Sequence, residues 1–264
     1  MNPMSWLGKE VDRINRKKMR RGWLKYFFLG GITALVITAI VFGAVWTLSE
    51  DISVSVIHVE GTIVSANVNG NGYVGSEYIG RKLRASADDP LVKGIVLRVN
   101  SPGGSPAAAQ EIIRDIEYAK IKKPIIVSMG DIATSAAYHI SSHANVIYAN
   151  PDTMTGSIGT IWTIFNYSKF LEDEGISVDV LKSGDKKDIT STYRGITDDE
   201  RVYLQNMVNE SSEIFINDVV DQRGVERSLI EDARPIRGDY ALSIGLVDKM
   251  GNLFDAIDAV SAYP

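Results

Sequence analysis

Gly94-Ile95-Val96-Leu97-Arg98-Val99, then Asn100-Ser101-Pro102-Gly103-Gly104-Ser105, then Pro106: a short apolar run, a glycine turn and a proline follow one another. The run has the length and β-branched content of a buried strand, and the proline suits the first turn of a helix over Ala107 to Ala119. The unit recurs at once. Pro124-Ile125-Ile126-Val127-Ser128-Met129 is a second buried-strand run, and a helix is expected to begin after it near Ala133. Upstream, Ile52 to Val59 alternates in strand fashion, and Ser76 to Asp88 carries a helical pattern. Strands spaced by helices imply βαβ units, hence an α/β fold whose parallel sheet is covered on both faces. Downstream, Ile176 to Leu181 reads as another strand. Thr197 to Arg223 reads as a long amphipathic helix, with a capping box from Thr197 and Glu200, an apolar stripe and a stop at Gly224. Its stripe comprises Val202, Leu204, Met207, Val208, Ile214, Phe215, Val219 and Val220.

The 264 residues, 45% apolar and 23% charged, suffice for one ordinary core plus a membrane anchor. The chain has no cysteine, which excludes disulfides and thiolate metal sites. Charge is divided sharply. Lys9, Arg13, Arg16, Lys17, Lys18, Arg20, Arg21 and Lys25 crowd the start against Glu10 and Asp12, while the rest carries 20 basic and 31 acidic residues, a net of −11. From Tyr26 to Leu48 there is no charge, which matches the roughly 20 apolar residues that cross a bilayer. Trp23, Tyr26 and Trp46 fit an interfacial aromatic belt, and the basic flank predicts a cytoplasmic N-terminus with the acidic domain on the outer face. A cleaved signal peptide is disfavoured by the length of the apolar stretch and the lack of a clear small-x-small site, and a buried core helix by length. The expected organisation is a basic cytoplasmic segment over 1–25, an anchor over 26–48 and a domain over 49–264. No nucleic-acid partner is expected.

The glycine turn at Gly103-Gly104 follows a strand and precedes a helix, so its backbone N–H groups can receive developing negative charge. Ser135 lies at the second such junction, expected in the first turn of the helix, beside Ala136-Ala137. A serine hydroxyl needs a base to become a nucleophile. The three histidines are His58 in a strand and His139 and His143 on the same expected helix as Ser135, four and eight residues on. A residue four ahead points back along the helix surface, not out over an exposed serine. Lysine is the remaining candidate, at Lys182, Lys186 or Lys187, and burial would have to depress its pKa by several units.

Asn100-Ser101-Pro102-Gly103-Gly104, the Ser135 segment, Thr155-Gly156-Ser157-Ile158-Gly159, Ser183-Gly184-Asp185-Lys186-Lys187-Asp188 and Gly238-Asp239-Tyr240-Ala241-Leu242-Ser243-Ile244-Gly245-Leu246-Val247-Asp248 together resemble the ordered motifs of the signal peptide peptidase A family. The resemblance runs from about Val54 to Asp258. It implies a Clp/crotonase-like spiral of ββα units and a membrane-anchored Ser/Lys peptidase. By position, Ser135 resembles the nucleophile, Lys187 the general base and Ser157 the serine that orients that lysine. Gly103 or Gly104, with the Ala136 amide, resembles the oxyanion site. Ala136-Ala137 stands where many members have two glycines; alanine keeps the N–H and adds only a methyl. The resemblance implies no cofactor and no metal. It implies apolar peptide substrates such as remnant signal peptides, contact with membrane lipid through the N-terminal helix, and a homo-oligomeric ring, an octamer for this single-domain length, in which the base comes from the same or a neighbouring subunit. A related stomatin-cleaving Ser/Lys protease and a catalytically silent membrane scaffold are the competing expectations. A Ser-His-Asp protease would need a histidine well downstream of Ser135, and none follows His143.

Overall fold

The structure is a computed structural model that describes residues 4–49 and 53–263. It divides into two units, Met1–Ile52 and Ser53–Pro264. The first is a single helix, α1 (Met4–Ser49), so the basic and apolar segments form one uninterrupted helix. Within it, Gly8–Gly43 is long and apolar enough to cross a membrane, with a mean hydropathy of 2.1 over its best window. Phe27, Phe28, Leu35 and Ile40 lie exposed along it. Thr33 and Thr38 turn their hydroxyls back onto the carbonyls of Leu29 and Ala34 at 2.8 Å, which satisfies them without water. The side chain of Trp46, expected at the interface, and Ile52, expected to open the first strand, lie outside the described residues.

In the second unit β1 (Ser53–Glu60) is followed by β2 (Thr62–Val64), β3 (Asn69–Gly70), β4 (Tyr73–Gly75) and α2 (Ser76–Asp88). Next come β5 (Val92–Ser101), α3 (Pro106–Lys120), β6 (Ile125–Thr134), α4 (Ala136–Ser142), β7 (Val146–Ala149) and β8 (Met154–Gly156). The remainder holds α5 (Ser168–Asp173), α6 (Asp198–Arg223), β9 (Pro235–Arg237), α7 (Gly238–Ser243), β10 (Lys249–Met250) and α8 (Leu253–Ser261). The main sheet runs β1-β5-β6-β7-β10, all parallel; β8 extends the far end of β6 in parallel and pairs antiparallel with β9. A small sheet, β2-β4-β3, stands apart from it.

The central strands are apolar on both faces because both are covered. Ile95, Leu97, Ile125 and Val127 are fully buried with Ile112 and Ile116 of α3, while Val96 and Ile126 pack with Ala256 and Val260 of α8. Each such side chain contributes roughly 1.5–3 kcal/mol by leaving water. The sheet then splays at one point. Pairing of β5 with β6 shifts register between Val99 and Ser101, and the Asn100 side-chain oxygen accepts the N–H groups of Asp131 and Ile132 at 3.1 and 3.2 Å. At Gly130 a Cβ would lie 3.0 Å from that oxygen, so glycine gives the staple room. Past it β6 leaves β7 and pairs with β8 instead.

Two expectations are corrected. The helix does not begin near Ala133: β6 runs on to Thr134, α4 starts at Ala136, and Ser135 stands at the boundary. Pairing with β8 keeps Ile132 to Thr134 extended where local sequence favoured a helix start. Nor is Ile176 to Leu181 a strand, for no segment among the described residues pairs with it, and Ile176, Val178, Val180 and Leu181 are exposed. The long helix, by contrast, has its Thr197–Glu200 capping box and ends at Gly224 in the left-handed conformation.

Candidate active site

Ser135 occupies the single-residue elbow between β6 and α4 with φ 53° and ψ −127°. A non-glycine residue at such angles costs on the order of 1–3 kcal/mol and persists only where its surroundings impose it. Here the Ser135 N–H donates to Gly156 C=O and the Ser135 C=O accepts from His139 N–H, both at 2.9 Å. Its side chain makes no capping bond to the helix. The hydroxyl is therefore presented at the strand end instead of being spent on the backbone.

Next to it the 103–104 turn is clamped on two sides. Thr134 donates its hydroxyl to Pro102 C=O at 3.1 Å, Gly103 C=O accepts from Ile63 N–H at 2.8 Å, and Ser105 N–H donates to Ile63 C=O at 2.9 Å. A Cβ on Gly103, at φ 100°, would meet Ser135 Cβ and Thr134 O at 2.8 Å; one on Gly104 would overlap Ile63 O at 2.1 Å. Glycine is thus required by close approach at both positions. The Gly103 N–H is engaged, donating to Ser101 Oγ at 3.1 Å. Those of Gly104 and Ala136 reach no acceptor among the described residues, and Gly104, Ser135 and Ala136 line one cavity of about 80 Å³. Ala136 opens α4, where first-turn amides have no intrahelical partner. The cavity is completed by Pro106, Gln110 and His139, by Gly159, Thr160 and Ile161, and by Ser211, Ile214 and Phe215 of α6.

Ser157 directly follows β8, as Ser135 follows β6, and Thr134 pairs with Gly156 immediately before them. The two serines are therefore neighbours across the ends of adjacent strands. Lys187 is elsewhere. It does not line the cavity, it is exposed, and its ammonium makes no hydrogen bond or ion pair among the described residues. Its two neighbours differ, for Lys182 pairs with Asp188 at 2.8 Å and Lys186 with Asp199 at 2.6 Å. The loop is pinned through buried Asp188, which joins Arg194, which in turn joins buried Glu200 in the first turn of α6, each at 2.8 Å. Hydrogen bonds from Arg194 and Lys182 hold Asp188 well below the usual carboxylate range, and Arg194 with the Thr197 amide holds Glu200 down at about 2. From Glu200 to the cavity-lining Ser211 the helix rises about 17 Å, so the loop is anchored away from Ser135. Among the predicted site residues, one chain brings together Ser135, Ser157, Gly103, Gly104 and Ala136, and leaves Lys187 apart.

Of the residues that α6 contributes, the sequence reading places Ile214 and Phe215 only on an apolar stripe and passes over Asp218. His139 stacks on Phe215 with ring centroids 4.3 Å apart, and its Nε2 lies 2.7 Å from Asp218 Oδ2. His143 lies between Asp218 and Glu117, at 2.8 Å from each. Burial opposes a charge on His143, but hydrogen bonds to Asp218 and Glu117 outweigh it and raise its pKa; Asp218, in spite of its own desolvation, is held well below the carboxylate range. A four-residue histidine spacing was the only local signal of this cluster.

Comparison with known proteins bears on the whole arrangement. The family model of peptidase family S49 matches residues 117–262. A protein of Enterococcus faecium assigned by name as a signal peptide peptidase, SppA, is 36% identical over 185 residues, 68% of this chain and 53% of its own length. Protease 4 of Salmonella typhi is 34% identical over 209 residues, 78% of this chain and 34% of its own. The chain thus spans about half, or less, of the length of these curated relatives. Among solved structures, a membrane-bound stomatin-specific protease determined as a serine-to-alanine mutant superposes with a TM-score of 0.52 at 16% identity, covering 79% of this chain and 84% of that one, a likeness of fold.

Proposed function

The chain belongs to peptidase family S49, and from that premise we propose that it is a membrane-anchored serine endopeptidase with Ser135 as nucleophile and Lys187 as general base. The observation that carries the reading is the Ser135 elbow: a strained serine whose side chain makes no cap, beside two unengaged amides, in a cavity walled partly by Ile161, Ile214 and Phe215. Neutral Lys187 takes the Ser135 proton as Oγ attacks the substrate carbonyl. The carbonyl oxygen, now negative, is received by the Gly104 and Ala136 N–H groups. The lysine returns its proton to the leaving amine, and water then releases the acyl group from Ser135 by the same steps in reverse order. Of the two glycines considered for the oxyanion, Gly104 is the better donor because the Gly103 N–H is already engaged.

Lysine acts as a base only when neutral, a state that burial favours. Within one chain Lys187 is exposed and distant, so we assign its burial to a neighbouring copy whose Ser135 and Ser157 it approaches. Exposed apolar surface supports such an assembly: Ile161, Phe165, Phe170 and Leu181 on the segment before α6, and Val202, Met207 and Ile214 from the expected stripe of α6 itself. An octameric ring is the assembly implied for a single domain of this kind. The continuous apolar helix supports an anchor with the N-terminus in the cytoplasm and the peptidase domain outside. Ile161, Ile214 and Phe215 in the cavity suit apolar side chains, so the substrates are apolar peptides, remnant signal peptides among them.

Mixed assemblies test this. Wild type should cleave a fluorogenic apolar peptide, Ser135→Ala and Lys187→Ala alone should not, and chains of the two variants assembled together should regain activity from the sites where an intact Ser135 meets an intact Lys187 of its neighbour. Wild-type activity with no recovery in mixtures would place the base within one chain; no wild-type activity from a folded oligomer would refute the peptidase.

A further inference from the structure

His139, His143 and Asp218 meet beside the Ser135 cavity, and the peptidase chemistry uses none of them. His139 lies on α4 and His143, four residues on, caps its C-terminus in helical backbone conformation, which sets the two rings one turn apart with centroids 6.1 Å from each other. Asp218 reaches them from α6. The ligand-capable atoms of all three lie within 4.8 Å of one another, with Asp218 Oδ2 at 2.7 Å from His139 Nε2 and 2.8 Å from His143 Nε2. Both histidine side chains are more than nine-tenths buried, at 6% and 5% exposure.

The charge pattern calls for a cation. A neutral imidazole carries one N–H, yet His143 faces a carboxylate at each ring nitrogen, Glu117 at Nδ1 and Asp218 at Nε2. With Nδ1–H given to Glu117, the Nε2 lone pair points at another acceptor. Either protons must fill the gap, or one divalent ion shared by both Nε2 atoms and Asp218 Oδ2. Two imidazole nitrogens and a carboxylate oxygen form a zinc-type donor set. A carboxylate on the outer nitrogen of a ligating histidine, the position of Glu117, is the usual second partner of a metal-bound ring. Tetrahedral zinc would set its ligand atoms roughly 3.3 Å apart, about half an ångström wider than Asp218 Oδ2 stands from either Nε2. Asp218, with 30% of its side chain exposed, has room to yield that distance.

We propose that His139, His143 and Asp218 bind one zinc-type divalent ion, with Glu117 as the positioning residue for His143. The ion ties α4, which begins next to Ser135, to α6, which lines the facing wall of the same cavity. It braces the cavity and takes no part in proton transfer.

The test is metal binding, so its outcome is separate from that of the peptidase reading. Full-length protein, purified without an affinity tag in detergent and stripped with chelator, is titrated with zinc chloride by calorimetry and with cobalt chloride by visible absorption. One ion per chain is expected, with the intense visible bands of tetrahedral cobalt. Glu117→Gln, at a half-exposed position, should weaken zinc binding about 10- to 100-fold. Asp218→Asn, nearly identical in shape, should weaken it more, with circular dichroism and oligomer size unchanged. If wild type takes up no more zinc than a His139→Gln/His143→Gln double variant, or if neither carboxylate substitution moves its affinity, the proposal is overturned and protons hold the cluster.

Discussion

Ser135 and Ser157 leave adjacent parallel strands side by side, at φ 53° and φ 52°, one residue beyond the Thr134–Gly156 pair. Two neighbouring serines both held in a conformation that serine avoids cost on the order of 1–3 kcal/mol each. The β6–β8 pairing, the bond from Ser135 N–H to Gly156 C=O and the bond from Ser157 N–H to Arg234 C=O at 3.1 Å impose it. Strand spacing puts their backbones about 5 Å apart, so an amine entering to reach the Ser135 hydroxyl also comes within reach of Ser157. Replacing Ser157 by glycine separates strain from function: Tm should not fall, since glycine accepts this φ, whereas kcat should drop about 10²-fold, the low end of the range for a group that assists proton transfer. Thermal melts and steady-state kinetics of the same preparation check both.

The three lysines of the 182–187 loop should separate cleanly. Lys187→Ala is expected to cost as much activity as Ser135→Ala, because residues acting as one unit fail together. Lys186→Ala breaks an exposed pair with Asp199 and should change activity less than about threefold, in keeping with the small worth of such pairs. Peptide hydrolysis by the two single variants decides between them; equal losses would show that the loop, not Lys187, is what matters.

The 103–104 turn should tolerate no side chain. Gly103→Ala sets a Cβ 2.8 Å from Ser135 Cβ and 2.9 Å from Ala136 N, shifting the nucleophile and one oxyanion donor together. Its kcat is expected to fall about 10²- to 10³-fold, the cost of losing one such donor. Gly104→Ala meets the Ile63 carbonyl at 2.1 Å and should lower Tm as well. Kinetics paired with melts distinguish the two.

Acid should loosen the lysine loop before it unfolds the sheet. Glu200 has its folded pKa depressed from 4.5 to about 2 by Arg194 and the Thr197 amide. A depressed carboxylate stabilises the fold fully above its unfolded value and loses that contribution as pH falls through the folded one. The difference in Tm between wild type and Glu200→Gln should therefore be constant above about pH 5.5 and shrink toward pH 2. A difference that grew on acidification would contradict the network.

How far the sequence could be read follows from what each segment needs. The helices α2, α3 and α6 were legible because amphipathic spacing, Pro106 and the Thr197–Glu200 box are local signals. The helix carrying Ser135 was expected about three residues too early, at Ala133 instead of Ala136, because Ile132 to Thr134 are held extended by β8, twenty-two positions away in register. Ile176 to Leu181 alternates like a strand but pairs with no strand among the described residues, so its alternation is not one a sheet of this chain uses. The Asn100 staple and the approach of Asp218 to His139 and His143 join residues far apart in sequence, and no periodicity announces them.

The most direct measurement is hydrolysis of a fluorogenic apolar peptide by full-length protein in detergent, comparing wild type with Ser135→Ala at matched oligomer size. The Ser135 elbow should supply the nucleophile, so turnover is expected in wild type and a loss of at least about 10³-fold in the variant. Comparable turnover in both would contradict that role for Ser135 and with it the peptidase site built around it.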